Sequence, residues 1–308
     1  MNSNGKFEGY EAIGAIRFND IIIEPGQSKT YIVVMAFGES KRDIESISND
    51  VLKETDFDSL LEETKLYWNN KINISYKTKD SEFDNWMYWV NFQPMLRRIY
   101  GCSFLPHHDY GKGGRGWRDL WQDCLALLAM DPENVRQMLL DNFGGIRFDG
   151  TNATIIGNKQ GEFIADRNNI TRVWMDHGAW PFLTTKLYIE QSGDIEFLLE
   201  KQLYFKDLQV IRGEEKDNLW NLEQVNNQLT EDGETYEGNI LEHLLIQHLT
   251  AFYDVGEHNV LKLHGADWND ALDMASERGE SVAFSALYAE NLEDIAELLK
   301  VIKDKMLS

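Results

Sequence analysis

The spacing of hydrophobic residues changes along the chain and separates it into parts. Residues 9–38 contain two β-branched runs on either side of Pro25-Gly26, a dipeptide typical of turns, so we expect a β-hairpin there. A lone hairpin is at best marginally stable in water, which indicates that it forms the end of a larger sheet. Residues 40–70 carry apolar residues at helical spacing between acidic positions, and we interpret them as a helical linker.

From residue 81 onward, helical spacing returns in one segment after another. The pattern predicts helices at 81–99, 118–130, 132–143, 176–191, 194–205, 239–254 and 283–303. Long glycine-rich loops separate them, and long loops in a helical domain are usually functional. We expect paired helices around a common centre, with the loops gathered at one end. A closed double ring would need twelve helices, six inner and six outer, whereas the pattern predicts seven. We therefore expect an internal portion of a larger enzyme. A smaller, self-sufficient α-rich domain is the alternative.

Charge and hydropathy limit the classes of partner. The 308 residues carry a formal net charge of −22, which repels nucleic acid and anionic lipid surfaces. We find neither an apolar stretch of about 20 residues nor a signal-peptide pattern, and we expect a cytoplasmic protein. Cys102 and Cys124 are expected to be reduced thiols. Nine tryptophans and many carboxylates are typical of carbohydrate binding, although the aromatic rings can equally be core.

Polar and aromatic residues gather at three helix starts or loops. In "GRGWRDLWQD", Asp119, Gln122 and Asp123 follow Arg118 at i, i+3 and i+4 and would share one helix face. "RVWMDHGAW" brings Trp174, Asp176, His177 and Trp180 together. The alternative for the first cluster is helix capping with an Arg–Asp ion pair, and the alternative for the second is Asp176 as the N-cap with tryptophans in the core.

The third cluster, "GADWNDALDM", has two carboxylates beside an aromatic ring. Asp267 and Asp270 bracket Trp268, and partial burial of a carboxyl against this ring, with the other carboxylate nearby, would raise its pKa toward the range of a general acid. A capping Asp-x-x-Asp is the alternative. A fourth cluster, His107-His108-Asp109, lacks the ligand spacing of a metal site, and we predict neither metal nor cofactor. No nucleophile elbow, P-loop or dinucleotide fingerprint occurs, which leaves acid/base chemistry on a sugar.

In this order, "GWRDLWQD", "VWMDHGAW" and "GADWNDALD" resemble motifs of the inverting glycoside phosphorylases, the cellobiose and chitobiose phosphorylase family. The segments "ILEHLLIQHLTAFYDVGEHN" and "GADWNDALDMASERGESVAF" are most similar to the 1,2-β-oligoglucan phosphorylase branch. The resemblance implies a mainly α fold. Residues 1–39 would end a β-sandwich, 40–80 form the helical linker, and 81–308 form the first part of an (α/α)6 catalytic barrel whose C-terminal part is missing.

The resemblance also implies residue roles. Asp270 would be the general acid, and Arg118, Asp119 and Trp268 would hold the sugar in subsite −1. Gln122, Asp123 and Asp176 would be further sugar-binding residues, whereas His177 departs from the family pattern, which commonly has a second aspartate there. The partners would be an oligosaccharide and inorganic phosphate as co-substrate, with no cofactor. The family's phosphate-binding groups lie C-terminal of the acid loop, so we expect them to be absent here.

The sequence therefore predicts phosphorolysis of β-glucosides to α-glucose 1-phosphate, with 1,2-β-oligoglucans as the expected substrates. Phosphate is already an anion and attacks directly, so one acid suffices, whereas an inverting hydrolase needs a second carboxylate as base. An inverting glycoside hydrolase and a non-catalytic sugar-binding remnant are the alternatives. Two assemblies are left open, a homodimer and a chain completed by a separate C-terminal fragment.

Overall fold

In the computed structural model, the chain divides into two units, residues 1–72 and 73–308, and we describe each by itself. The residues that the structure describes are 15–36, 40–53, 57–100, 115–157, 161–164, 173–221, 226–264, 275 and 277–307.

The first unit contains a turn and two helices. The turn lies at Pro25-Gly26, where Gly26 has a φ of +85° and the Gln27 N–H donates to the Glu24 carbonyl over 2.9 Å. The rings of Phe18 and Tyr31, one on each side of this turn, have centroids 4.1 Å apart. The predicted turn is confirmed, but residues 15–36 contain no regular strand. Assignment of this segment to a β-sandwich therefore stays a prediction.

The helices of the first unit lie where the acidic, helically spaced segment predicted them. They are α1 (Lys41–Lys53) and α2 (Phe57–Lys71). Ser40 begins α1 because its Oγ accepts the Asp43 N–H over 3.2 Å, which satisfies one of the unpaired donors at a helix start. The helical secondary structure is confirmed, and the role of these helices as a linker stays a prediction.

The second unit is mainly helical. Its helices are α3 (Ser81–Tyr100), α4 (Trp117–Met130), α5 (Val135–Phe143), α6 (Trp180–Ser192), α7 (Ile240–Tyr253) and α8 (Val282–Leu307). Short 3-10 helices occur at Ile195–Leu199 and Ile211–Gly213. The predicted mainly α fold is confirmed. In the part of the chain that the structure describes, no helix has the length and apolar character needed to cross a lipid bilayer.

Seven short strands lie between these helices: β1 (Arg115–Gly116), β2 (Ile155–Ile156), β3 (Phe163–Ile164), β4 (Lys201–Leu203), β5 (Gln209–Val210), β6 (Glu215–Lys216) and β7 (Glu237–Asn239), counted over the described residues. They form antiparallel sheets in the orders β1-β2-β3, β4-β7 and β5-β6. In the first sheet Gly116 pairs with Ile155, so the chain enters α4 directly from a strand. This pairing fixes where the polar start of α4 lies.

Three predicted helices need correction. The helix predicted at 132–143 begins only at Val135, because Asn134 has a left-handed φ of 62°. The helix predicted at 176–191 begins at Trp180, because residues 174–179 form turns, with the His177 N–H donating to the Trp174 carbonyl over 3.1 Å. The helix predicted at 194–205 is wrong. A 3-10 turn fills its first half, and its second half is β4, which pairs with β7.

The hydrophobic core lies among α4, α5, α6 and α7. Trp117 and Trp121 are fully buried on successive turns of α4, with ring centroids 5.7 Å apart, and Trp121 meets Phe143 of α5 edge to face at 5.1 Å. A second, smaller cluster includes Met175, Leu263 and Tyr288. The residues 173–179, which carry the second polar motif, therefore rest on apolar side chains, as a rigid site requires.

We expect the Gly145→Ala substitution to destabilise the second unit. An added Cβ would lie 2.5 Å from Trp117 Cζ3 and 2.7 Å from Phe163 Cδ1, which forces the packed rings apart. Such overpacking costs about 1–3 kcal/mol. Urea unfolding measures this loss, and the neighbouring Gly144→Ala variant is the control, because its Cβ would meet nothing closer than 3.3 Å. Equal unfolding midpoints for the two variants would contradict the packing.

Candidate functional site

A charged pair joins the first two polar motifs. Arg118, in the first turn of α4, donates from Nη2 to Asp176 Oδ1 over 2.8 Å and from Nε to Asp176 Oδ2. The Asp176 side chain is 0% exposed, whereas that of Arg118 is 21% exposed. Trp180 Nε1 also donates to Asp176 Oδ2, over 2.9 Å. Both oxygens of the Asp176 carboxylate thus accept hydrogen bonds, whereas part of the Arg118 side chain is exposed.

Burial alone would raise the pKa of Asp176, because an ionised carboxylate loses its hydration. The hydrogen bonds from Arg118 and Trp180, with the nearby positive charges, outweigh burial and lower the pKa of Asp176 below its ordinary value. Asp176 is therefore an anion at neutral pH. It is suited to orienting Arg118, and it is not suited to delivering a proton.

An aromatic wall stands beside this pair. The rings of Trp174 and His177 stack with centroids 5.6 Å apart at 14°, and the Arg118 guanidinium lies 5.6 Å from the Trp174 ring centroid. Trp117 Nε1 donates to the His177 carbonyl over 3.0 Å, which fixes the turn that carries both rings. Trp174 is half-buried, so one aromatic face is positioned next to a cationic group.

His177 is held in its neutral form. Burial lowers the pKa of His177 to about 4, Asp176 opposes this shift, and Arg118 adds to it. Its Nδ1 lies 3.2 Å from Asn152 Nδ2, so with the amide as donor the imidazole proton resides on Nε2. The residue that departs from the family pattern thus supplies an uncharged imidazole near neutral pH.

A polar cavity opens at the same place. Its volume is about 10 Å³, which is room for about one water molecule. It is lined by Gly150, Thr151, Asn152, Val173, Trp174, His177, Gly178, Arg212 and Tyr288. Gly178 has no room for a side chain, because a Cβ would lie 2.5 Å from Tyr288 Oη. Hydrogen-bond donors and acceptors and an aromatic side chain thus surround a space for about one water molecule.

A buried ion pair stabilises the loop that carries Thr151 and Asn152, which forms one wall of the cavity. Arg147 donates from Nε and Nη2 to the two carboxylate oxygens of Asp207 over 2.9 and 2.7 Å, and it also donates to the Asn152 carbonyl. Both side chains of the pair are 4% exposed. Asp149 Oδ1 accepts the Thr151 N–H over 2.9 Å. These contacts fix Thr151 and Asn152 at the cavity.

The structure brings some of the predicted site residues together and leaves others untested. Arg118 and Asp176 pair directly. On the same helix as Arg118, Asp119 and Gln122 are half-buried and Asp123 is buried, in keeping with their i, i+3, i+4 spacing. Their roles as sugar-binding residues stay predictions.

Other predicted residues lie outside the described part of the chain. They are Asp267, Trp268 and Asp270 of the third cluster, and His107, His108 and Asp109 of the fourth. The assignment of Asp270 as general acid and of Trp268 as a sugar-binding residue therefore stays a prediction.

Sequence reasoning missed several residues of the cavity. Thr151 and Asn152 lie in a glycine-rich loop that was expected to be functional, but no motif marked them individually. Arg212 lies in a short 3-10 segment without a recognisable pattern, and Tyr288 looks like any aromatic residue on the buried face of an amphipathic helix. Only tertiary packing places them together.

The fold and the site define a mainly helical domain in which a buried arginine–carboxylate pair lies beside two stacked aromatic rings and a small polar cavity. Residues 67–307 match the glycosyl hydrolase 94 superfamily, catalytic domain. The chain belongs to this superfamily, and the predicted family membership is confirmed. The matched range contains all of the residues to which the sequence assigned a site role.

Two curated relatives are similar over most of the chain. Solabiose phosphorylase of Paenibacillus borealis is 24% identical over 299 residues, which cover 93% of this chain and 32% of that protein. Cyclic beta-(1,2)-glucan synthase NdvB of Rhizobium meliloti (strain 1021) is 22% identical over 293 residues, which cover 93% of this chain and 10% of that protein. The chain therefore spans about a third of the first relative's length and about a tenth of the second's.

We expect the buried histidines to make stability depend on pH. The pKa values of His177 and His248 are both lowered by burial from 6.5 to about 4. Between these two pH values the unfolded chain binds more protons than the folded chain, so the free energy of unfolding falls as the pH drops from 6.5 toward 4. Protonation of Asp176, which breaks its ion pair with Arg118, lowers the free energy of unfolding further only at lower pH, because the pKa of Asp176 lies below 3.8.

Urea unfolding of the wild type and of His177→Gln at several pH values between 4.5 and 7.5 measures this dependence. The variant removes one of the titrating groups, so its stability should change less with pH than that of the wild type. Because the remaining charges are the same in both proteins, their difference isolates His177. Identical pH dependence would contradict burial of a neutral imidazole at this position.

Proposed function

We propose that this chain carries the sugar-binding and acid-bearing part of an inverting glycoside phosphorylase that acts on β-glucosides, with 1,2-β-oligoglucans as its substrates. The observation that carries the proposal is the Arg118–Asp176 pair beside Trp174. It brings two family motifs 58 residues apart into direct contact, within the range that matches the family's catalytic domain.

The first step is binding of a terminal glucose unit in subsite −1. Asp176 holds the planar guanidinium of Arg118 by two hydrogen bonds, so Arg118 has a fixed orientation, and in this proposal it binds sugar hydroxyls. Trp174 offers an aromatic face to the apolar side of the ring, and neutral His177 and Asn152 complete the polar lining. Asp119, Gln122, Asp123 and Trp268 supply further contacts in this proposal.

The second step is cleavage. Asp270 protonates the glycosidic oxygen while a phosphate oxygen attacks the anomeric carbon from the opposite face. The bond from the anomeric carbon to phosphate forms as the bond to the leaving sugar breaks, and the leaving oxygen keeps the proton. The β-linked substrate gives α-glucose 1-phosphate. Phosphate needs no general base, which agrees with Asp176 being engaged by Arg118 and unavailable as one.

The barrel fold and the linkage preference in this proposal are supported by similarity to the family and its members. We propose that the helices of the second unit belong to an (α/α)6 barrel. The preference for 1,2-linkages is supported by the amino-acid sequence of residues 240–259, which includes α7, and by similarity to a protein named cyclic beta-(1,2)-glucan synthase. The cytoplasmic location, the absence of a cofactor and the two alternative assemblies stay predictions.

Incubation with 1,2-β-linked glucotriose, with and without inorganic phosphate, tests the proposal. Glucose 1-phosphate that forms only with phosphate supports it, and parallel incubations with 1,3- and 1,4-β-linked glucotriose test the linkage. Free glucose released at the same rate without phosphate would identify a hydrolase instead. Binding of the trisaccharide without either product at any protein concentration would identify a sugar-binding chain that lacks catalysis.

A further inference from the structure

An open groove lies between the end of α7, the turn that follows it and the first half of α8. Its volume is about 600 Å³, within the range of about 300–1,000 Å³ for ligand pockets. Apolar, aromatic and uncharged polar side chains line it: Phe252, Tyr253, Val255, Asn259, Leu261, Ser285, Tyr288, Ala289 and Leu292. None of these lining residues is charged, so the groove suits an uncharged ligand rather than a phosphate or a carboxylate.

Two consecutive aromatic residues at the end of α7 are exposed at this groove. Phe252 is 55% exposed and Tyr253 is 78% exposed. Their ring centroids lie 5.1 Å apart, and the two rings are nearly perpendicular, at 88°. Exposed aromatic rings that line a pocket, unlike apolar residues scattered singly over a surface, are typical of a binding site.

Two polar groups at the groove are free to bind a ligand. Among the residues that the structure describes, neither the Tyr253 hydroxyl nor the Asn259 side-chain amide has a hydrogen-bond partner. A purely apolar occupant would bury these groups without partners, which is unfavourable. A ligand that carries hydroxyl groups would pair with them instead.

Contacts between its segments fix the shape of the groove. The Leu261 N–H donates to Ser285 Oγ over 2.9 Å, which joins the turn after α7 to α8. Tyr288 is buried, and its Oη donates to the Met175 carbonyl over 2.8 Å. A preformed groove lowers the entropy cost of ordering a bound ligand.

We propose that this groove is an accessory binding site for a neutral β-glucan chain, distinct from the Arg118–Asp176 pair. The apolar faces of sugar rings pack on aromatic side chains, while sugar hydroxyls pair with the phenol of Tyr253 and the amide of Asn259. A second copy of the chain is disfavoured as occupant, because two chains of net charge −22 repel each other. The choice of a β-glucan among neutral sugars rests on the proposed function, whereas the choice of a neutral sugar rests on the groove.

Native electrophoresis of the full chain in gels that contain linear 1,2-, 1,3- or 1,4-β-glucan tests the proposal. We expect at least one glucan to retard the wild type, and Tyr253→Ala to raise the dissociation constant for that glucan about 10-fold, as loss of an anchoring aromatic ring does. Because Tyr253 is 78% exposed, its removal should leave the fold intact. Trp86→Ala is the control, because Trp86 is likewise an exposed aromatic residue, at 64%, but lies on α3.

Asn259→Gly is a second variant, which removes the amide without strain. Asn259 has a φ of 56°, which glycine adopts freely. Asn134→Gly is its matched control, because Asn134 is also exposed and has a φ of 62°, but precedes α5. We expect weaker retardation for Asn259→Gly and wild-type retardation for Asn134→Gly, with kcat for glucotriose unchanged in both.

Equal mobility of the wild type, Tyr253→Ala and Asn259→Gly in every gel would overturn the proposal. A wild-type dimer in light scattering that Tyr253→Ala converts to a monomer would overturn it too, since the groove would then hold a second copy. If the wild type makes no glucose 1-phosphate but its retardation still depends on Tyr253, the proposed function fails and the accessory site stands.

Discussion

The Arg118→Gln variant is expected to lose sugar binding. Asp176 is fully buried, and removal of its guanidinium leaves an uncompensated carboxylate, which typically costs about 3–5 kcal/mol. The same change removes charge-assisted hydrogen bonds to sugar hydroxyls, each worth about 1.5–3 kcal/mol, so the dissociation constant for an oligoglucan should rise about 10- to 100-fold. Calorimetric titration with 1,2-β-linked glucotriose and urea unfolding measure the two effects.

Arg136→Gln is the control for this experiment. Arg136 also joins two carboxylates, Asp194 over 2.9 Å and Glu200 over 2.7 Å, but its side chain is 40% exposed. Exposed ion pairs contribute about 0–1 kcal/mol. Arg136 lies over the Phe197 ring, which does not line the cavity, whereas Arg118 lies over Trp174, which does. This control variant should bind sugar like the wild type. Wild-type sugar affinity in Arg118→Gln as well would exclude the Arg118–Asp176 pair from the sugar site.

Asp270→Asn is expected to abolish turnover while sugar binding is largely kept. Asparagine has nearly the same shape as aspartate but cannot deliver a proton to the glycosidic oxygen, and general acid catalysis typically contributes about 10²–10⁴ in rate. The measurement compares kcat with the dissociation constant for the trisaccharide in a form of the protein that turns substrate over. The exposed Asp304, near the end of α8, provides the control variant Asp304→Asn. Near-normal turnover in Asp270→Asn would refute the assignment of the acid.

The helices were predictable wherever local signals agreed. In α4, α7 and α8 the helical spacing of apolar residues is continuous, and the observed ends fall within a few residues of those predicted. The segment 194–205 has apolar residues at helical spacing too, yet Gly193 ends α6 in a left-handed conformation and β4 finds its partner in β7, more than thirty residues later. Pairing with so distant a strand leaves no signature in the local sequence.

The residues of the candidate site also fall into two groups, those that sequence motifs marked and those that they did not. Arg118 and Asp176 were recognisable because residue type and spacing marked both motifs, although their direct pairing became visible only in the fold. The neutral state of His177 follows from burial, which the sequence does not encode locally. Asn152 and Arg212 come from segments without motifs, so their place at the cavity became visible only in the fold.

The most direct test of inverting phosphorolysis is the anomeric configuration of the first sugar phosphate formed. A proton NMR time course with 1,2-β-linked glucotriose and inorganic phosphate reads this configuration from the anomeric signal before any equilibration. We predict α-glucose 1-phosphate from the start of the reaction, because phosphate attacks opposite the bond that Asp270 protonates. β-Glucose 1-phosphate, or free glucose in place of a phosphate ester, would contradict the account.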